Sequence, residues 1–404
     1  VAFKANNFIL SIIHSIFSSL DTSPYGTSTN TLKTDFSIEI KSLAKDTKTS
    51  ITTRLAGDQW IVDSYLIINR KEFPAITMLN GKVLVCGGIA PYNDGTLVVP
   101  FCEIYSPSNR KWRETADMNV ERKELTLTSL LNGRNILAVG GSRNELDAYT
   151  AEIYYIDMNI WLFVPNIIKT RPSEHTATLL KNGQILIVGG RSSFEPPISS
   201  AQLYIPSSNT FVTVGSLKVG RYGHIAILLK DNLSVLIIGG YNFNVPPPPP
   251  PPPEIYMTGS WHDTIGDMIQ RRLYCTAVLL HNGNVLVAGG VDSNSNTLSS
   301  AEIYSFTTGK FSPIQPMGCA RSHFTLTLLP TGLVLAVGGK GPAIDECPRV
   351  SELYNSTTNQ WMSTRLLNTG RHKHNAVLIN NSVLVLGGFV DDDTYQYACE
   401  RYDL

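Results

Sequence analysis

Apolar residues in this chain fall into short runs that recur on a fixed beat, each closed by a Gly-Gly pair. The pairs open at Gly87, Gly140, Gly189, Gly239, Gly289, Gly338 and Gly387, an average interval of 50 residues. Runs this brief, bounded by turn residues, predict strands rather than helices. In a typical unit Thr176 to Leu180 and Ile185 to Val188 flank Lys181-Asn182-Gly183-Gln184. Asn-Gly accepts positive φ at little cost, so the two runs read as a hairpin of strands a and b. The Gly-Gly pair then ends strand b where no Cβ is tolerated. After a variable loop, strand c carries Tyr204, Ser207-Ser208-Asn209 reverses the chain, and strand d carries Phe211. Four short strands at this period predict the blades of a propeller, not a helical solenoid.

Other landmarks keep the same beat. An Arg precedes each doublet, at Arg70, Arg122, Arg171, Arg221, Arg271, Arg321 and Arg371. A Tyr follows each doublet, with an acid or amide two residues before it, as in Glu103 with Tyr105 and Glu302 with Tyr304. Nearly every Arg therefore has a matching Glu, Gln202 being the exception, and structural ion pairs are expected. Seven residues beyond most of these Tyr stands an aromatic anchor: Trp112, Trp161, Phe211, Phe311 or Trp361. The fourth unit shortens that interval and places Trp261 there. The last unit stops two residues after Tyr402, without its aromatic. Trp60 stands ten residues before Arg70, the spacing that also separates Trp112 from Arg122 and Trp361 from Arg371. Trp60 is thus expected to supply strand d of the last blade, closing a ring of seven blades and removing its free edges.

The strings HTATLLKNGQILIVGG with SAQLYIPSSNTF, and TAVLLHNGNVLVAGG with SAEIYSFTTGKF, resemble the kelch family in its variety with long repeats, the galactose-oxidase-type propeller. The resemblance covers residues 58 to 404 and implies an all-β, seven-bladed kelch β-propeller whose N-terminal strand d pairs with C-terminal strands a, b and c. This fold hosts adaptors, lectin-like modules and a few enzymes, so it does not by itself assign a function. In similar propellers the recurring Arg lies near the rim of the central channel, where some adaptors use it to hold acidic partner residues. The resemblance also raises a copper radical oxidase, which needs a Cys-Tyr cross-link, a Tyr beside a His, and a further His from a following domain. Tyr222-Gly223-His224 approximates only one of these, so no copper and no other cofactor or metal is expected. An intracellular ubiquitin-ligase substrate adaptor is a second alternative, and it would need an upstream dimerisation domain larger than residues 1–57.

Composition narrows the rest. Lys plus Arg number 33 and Asp plus Glu 33, so the formal charge is zero and no electrostatic footprint for nucleic acid exists. Residues 1–57 lack the repeat; Phe8 to Phe17 is an apolar run too short to span a membrane, followed by a Ser/Thr-rich linker. Six cysteines show no metal-ligand spacing. Most sit in predicted strands, where buried free thiols are expected, but Cys319 and Cys347 fall in loops that emerge on one face and are candidates for a disulfide. Together with Asn-x-Ser/Thr sequons at Asn232, Asn355 and Asn380, that pair tilts the expected location toward a secreted or membrane-anchored one. His175, His224 and His374 recur at one place in three blades, with His323 one place off, a pattern of packing positions rather than of a single catalytic constellation.

No Walker loop, zinc-protease or nucleophile-elbow motif occurs, so the chain reads as non-catalytic. Recognition of a protein or glycan is expected on the face formed by the b-c and d-a loops. Tyr92, Arg143, Arg191, Phe194, Tyr241, Phe243 and Asp391, chosen for size or charge just after the Gly-Gly stop, are the candidate binding residues. Pro246 to Pro253 is a further candidate, a stiff polyproline rod of the shape that SH3, WW and profilin-type grooves accept.

Overall fold

The computed structural model describes residues 59–92, 95–141, 149–165, 173–192, 196–242, 250–342, 347–390 and 394–404. They form seven four-stranded antiparallel sheets, with no α-helix among the described residues. Blade 1 comprises Ala75–Thr77, Val83–Cys86, Cys102–Ser106 and Lys111–Glu114 as strands a to d. Blades 2 to 6 repeat that order. In each, strand a of one blade touches strand a of the next, and the series runs from blade 1 through blade 7 and back to blade 1. The seven a strands therefore ring the axis, and the d strands form the outer wall.

Blade 7 is assembled from both ends of the described chain. Asn375–Ile379, Ser382–Leu386 and Ala398–Asp403 are its strands a, b and c, and Trp60–Tyr65 pairs with strand c as strand d. Trp60 lies directly opposite Tyr402, with ring centroids 5.2 Å apart. Ring closure follows the sequence expectation. The same Tyr-aromatic pairing joins strands c and d in every blade, at 5.0 to 5.3 Å, including Tyr256 with Trp261 in the blade with the shortened turn.

Between blades the packing is apolar. Strand b is buried along its length in five blades, as in Val285–Ala288, and in blades 2 and 7 from its second residue on, and its residues interleave with the neighbouring sheet. The Gly-Gly pair is explained by what it meets. At Gly239, φ is +66° and an added Cβ would stand 2.6 Å from the carbonyl oxygen of Arg272, which opens the next blade. That approach forbids a side chain, and the second glycine of a pair uses the gap, as when Gly290 N–H donates to the Arg321 carbonyl at 2.8 Å.

The Arg series is buried. Arg122 pairs with Glu152 at 3.1 Å, Arg221 with Glu254 at 2.6 Å, Arg321 with Glu352 at 2.5 Å and Arg371 with Glu400 at 2.7 Å, and Arg70 pairs with Glu103. One assignment needs correction. Arg272, not Arg271, occupies the blade 5 position, pairing with Glu302 at 2.7 Å, whereas Arg271 is partly exposed and pairs with Asp267. Arg-to-glycine spacing runs from 16 to 18 residues around the ring, so spacing could not choose between adjacent arginines. Arg171 lies outside the described residues.

The recurring histidines tie blades together. The Nε2 atoms of His175, His224 and His374 lie 2.9, 2.9 and 3.0 Å from Thr126, Thr176 and Thr325 Oγ1 of the preceding blade. Burial drives His224 down to about 3, assisted by the nearby Arg221 charge, and burial also holds His374 well below its ordinary value. Both are neutral when folded and gain a proton on unfolding below about pH 6.5. Lowering the pH through that window therefore removes stability, at up to about 1.4 kcal/mol per pH unit for each histidine. The urea midpoint is expected to fall between pH 7 and pH 5, before carboxylates titrate; an unchanged midpoint would contradict this coupling.

Candidate functional site

In an antiparallel meander the a-b and c-d turns share one end of each blade, and the b-c and d-a loops share the other. Where the second face meets the axis, each blade contributes one residue of positive φ just ahead of strand a: Glu72, Glu124, Glu174, Gly223, Tyr274, His323 and Lys373, with φ between 49° and 60°. Six of the seven carry side chains in a conformation that costs them about 1 kcal/mol or more, strain of the kind that clusters at working sites. Backbone hydrogen bonds link consecutive members: Glu124 N–H donates to Glu72 O at 2.9 Å, Gly223 to Glu174 at 3.0 Å and Lys373 to His323 at 2.9 Å. This chain of amides and carbonyls holds an axial mouth in fixed geometry.

In six of the blades, among the described residues, the residue after the Gly-Gly pair is drawn to the same mouth by an isolated bridge to the residue preceding the positive-φ position. Arg191 bridges Ser173, Tyr241 bridges Tyr222, Lys340 bridges Ser322 and Phe389 bridges His372. Two of the candidate binding residues, Arg191 and Tyr241, are thereby placed at the mouth. Tyr92 lies in a small hairpin, Ile89–Tyr92 with Gly95–Val98, in the b-c loop of blade 1. Arg143, Phe194, Phe243 and Asp391 lie outside the described residues.

The mouth has two electrostatic halves. On the arc of blades 2 to 5, the Arg191 guanidinium reaches Glu174 at 2.5 Å and Glu124 at 3.5 Å and lies 4.9 Å over the Tyr222 ring. Ser173 Oγ donates to Glu124 at 2.5 Å, and Tyr222 meets Tyr241 edge to face at 5.5 Å. Burial raises Glu174 above the usual carboxylate range, and the Glu124 charge adds to that while Arg191 opposes it. Burial alone would lower Arg191, but the Glu174 and Glu124 carboxylates outweigh it and raise the guanidinium. Tyr274 is raised by burial and then by Glu174, so its phenol stays protonated. On the arc of blades 6, 7 and 1, Lys71 lies 4.7 Å from the Phe389 centroid and Lys373 5.9 Å from it. His323 stacks on Tyr274 at 4.3 Å; burial, then the charges of Lys373, His372 and Lys340, push it down to about 3.

Sequence reasoning missed Glu124, Glu174, Tyr274, Lys71, Lys373 and Phe389, and considered Tyr222 only as a Tyr near a His for copper chemistry. Their residue types differ from blade to blade, so no motif marks them; what repeats is their position, at or just before the positive-φ residue ahead of strand a, or directly after a glycine pair. Two grooves open on the same face between neighbouring blades. One of about 360 Å³ is lined by Cys347, Arg349, Leu366 and Val390, and one of about 420 Å³ by Pro250, Ile269, Arg271 and Asp292. The second explains the end of the proline run. Pro250, Pro251 and Pro253 are buried, and the Pro252 carbonyl accepts from Arg221 at 2.9 Å. That half of the rod is thus packed into the blade instead of displayed, and Pro246 to Pro249 lie outside the described residues.

The cysteines differ from expectation in one pair. Cys319 and Cys347 form a disulfide with Cα atoms 6.0 Å apart, and a second disulfide joins Cys86 to Cys102, Cα atoms 4.2 Å apart. Cys86 and Cys102 are therefore not free thiols. They face each other across strands b and c of blade 1, a register that the loop between them hides from the sequence. Cys275 and Cys399 are free, and burial pushes them up to about 11 and about 12.

The donors do not fit a copper radical centre. The buried His224 and His374 turn Nε2 to threonines, and the Cys275 sulfur faces the Gly239 backbone, 3.4 Å from a Cβ placed there. No three His, Cys, Asp or Glu side chains converge on a metal-sized site among the described residues.

A closed ring of seven four-stranded blades with an axial mouth defines a β-propeller. The model of the Kelch motif family matches residues 272–318, and that match together with the seven blades supports a kelch-repeat propeller. Kelch-like protein 36 of Rattus norvegicus is 27% identical over 113 residues, 28% of this chain and 18% of that protein. Kelch-like protein 36 of Mus musculus is 26% identical over the same length and shares. The matched stretch thus spans under a fifth of each relative's length. Among solved structures, a fungal alcohol oxidase of the AA5 family in complex with copper superposes with a TM-score of 0.69 at 15% identity, covering 86% of this chain and 76% of that one. At that identity the likeness is one of fold. The fold and the curated relatives fit a binding role.

Proposed function

We propose that the chain is a non-catalytic recognition module that holds a protein or glycan ligand on the b-c and d-a face, centred on the axial mouth. The observation that carries this reading is the strained ring of one residue per blade, on which Arg191, Tyr222, Tyr241 and Tyr274 converge beside two carboxylates. Aromatic and arginine side chains preorganised over a rigid scaffold are the residues that dominate binding energy. The paired charges and phenol rings suit a ligand rich in hydroxyls and amides, the common chemistry of peptides and sugars.

The test is a glycan array and a peptide panel probed with the intact protein and with Arg191→Ala and Tyr241→Ala. Each variant is expected to weaken a true ligand at least tenfold, while Lys111→Ala on the outer strand of blade 1 leaves it unchanged. A ligand bound equally by all three would move recognition off the mouth. Copper-dependent release of peroxide from a primary alcohol would replace the reading with an oxidase.

A further inference from the structure

The sequence holds three Asn-x-Ser/Thr sequons, and the fold brings all of them to one face. Asn232 lies in the a-b turn of blade 4, between Ile225–Leu228 and Val235–Ile238. Asn380 lies in the a-b turn of blade 7, between Asn375–Ile379 and Ser382–Leu386, and Asn355 ends strand c of blade 6 at its c-d turn. The meander topology sets this end of every blade opposite the axial mouth. Loops on the mouth side contain asparagines too, among them Asn119, Asn242, Asn294, Asn296 and Asn368, yet none of these begins a sequon.

The three sites tolerate a large substituent. Asn232 and Asn380 are exposed and adopt φ of 60° and 51°, the left-handed turn conformation that asparagine accepts. Asn355 uses Oδ1 to accept from Thr357 N–H at 2.9 Å, a bond that leaves its Nδ2 uncommitted. Asn232 Nδ2 makes one exposed contact, to Lys230 O at 3.2 Å, which water replaces at little cost. Leu233, inside the first sequon, is half exposed, and a hydrated sugar beside it would cover that apolar surface.

An independent feature points to the same compartment. Four of six cysteines are joined, across blade 1 and between two loops of blade 6. Such bonds form and persist where the surroundings are oxidising. We propose that the protein matures in the secretory pathway, N-glycosylated at Asn232, Asn355 and Asn380, with a sugar-covered a-b/c-d face and a bare recognition face. In each transfer the Asn Nδ2 forms a bond to the anomeric carbon of a lipid-diphosphate-linked oligosaccharide. The lipid diphosphate leaves, and the amide gives up one proton. Each disulfide forms by exchange with an oxidised protein dithiol, which takes up the two electrons and two protons released. This inference stands without the ligand assignment, because modification is read on the protein alone.

The natural full-length protein, immunopurified from its own cells and digested with peptide N-glycosidase, is expected to fall in mass by three resolvable steps. Peptide mapping should show conversion to Asp at Asn232, Asn355 and Asn380, and Asn232→Gln, Asn355→Gln and Asn380→Gln should each remove one step. Alkylation after unfolding without reductant should label only Cys275 and Cys399. No mass change in the wild-type protein, or six alkylated thiols, overturns the proposal; a missing step overturns that site. Lost ligand binding in the mouth variants with all three sugars retained bears on the ligand reading alone.

Discussion

Trp60→Ala is expected to cost about 3–5 kcal/mol of stability, among the largest losses any single apolar truncation in the ring can produce. Trp60 is 6% exposed and packs against Tyr402, Leu335, Val337 and Leu353, so its removal opens a cavity shared by blades 6 and 7. Its indole N–H also donates to Ser351 Oγ of blade 6 at 3.0 Å. Farther along the same strand, Ser64 Oγ accepts from Trp112 of blade 1 at 3.1 Å, and Asp63 accepts from the Tyr105 hydroxyl at 2.5 Å. The closing strand thus ties three blades. Deleting residues 1–65 would leave strand c of blade 7 with a free edge, and the product is expected to self-associate. Val62→Ala, at a 42% exposed position on the same strand, should shift the urea midpoint little. Urea titration with light scattering checks all three; equal midpoints for Trp60→Ala and Val62→Ala would mean that the clasp does not hold the ring.

The ring was legible because its determinants are local and repeated. A Gly-Gly pair is needed wherever the next blade's Arg carbonyl approaches, and a Tyr-aromatic pair wherever strands c and d meet, so both recur at the blade period. Trp60 could be placed from spacing alone, since its distance to Arg70 equals that of its counterparts. Spacing failed where one residue decides, as with Arg271 and Arg272, because loop lengths vary by more than that. The mouth was half visible. Arg191 and Tyr241 follow the glycine pairs directly, but Glu124, Glu174 and Tyr274 share a backbone conformation and not a residue type, which composition does not display. Cys86 and Cys102 were hidden for a related reason: their contact depends on the register of two strands separated by a loop.

The largest polar effect is expected from the buried pairs. Arg321→Met should cost about 3–5 kcal/mol, because it leaves Glu352 ionised and buried without its partner. Arg321 is fully buried and donates to Glu352, to the Gly338 carbonyl at 3.1 Å and to the Val350 carbonyl at 3.0 Å. Burial already lowers its affinity for a proton despite the opposing pull of Glu352, so desolvation is the dominant cost the pair must offset. Removing both charges should consequently hurt less than removing one: the double variant Arg321→Met with Glu352→Gln is expected to recover part of the loss. Recovery stops short of wild type, because the Gly338, Val350 and Cys319 carbonyls still lack the arginine donor, at about 1–3 kcal/mol each. Lys218 and Asp263, exposed at 60% and 63%, form the contrasting pair, and Lys218→Ala should cost no more than about 1 kcal/mol. A double variant as unstable as the sum of its singles would show that the arginines act through backbone hydrogen bonds alone, as clamps on each blade's glycine turn and not as half of an ion pair.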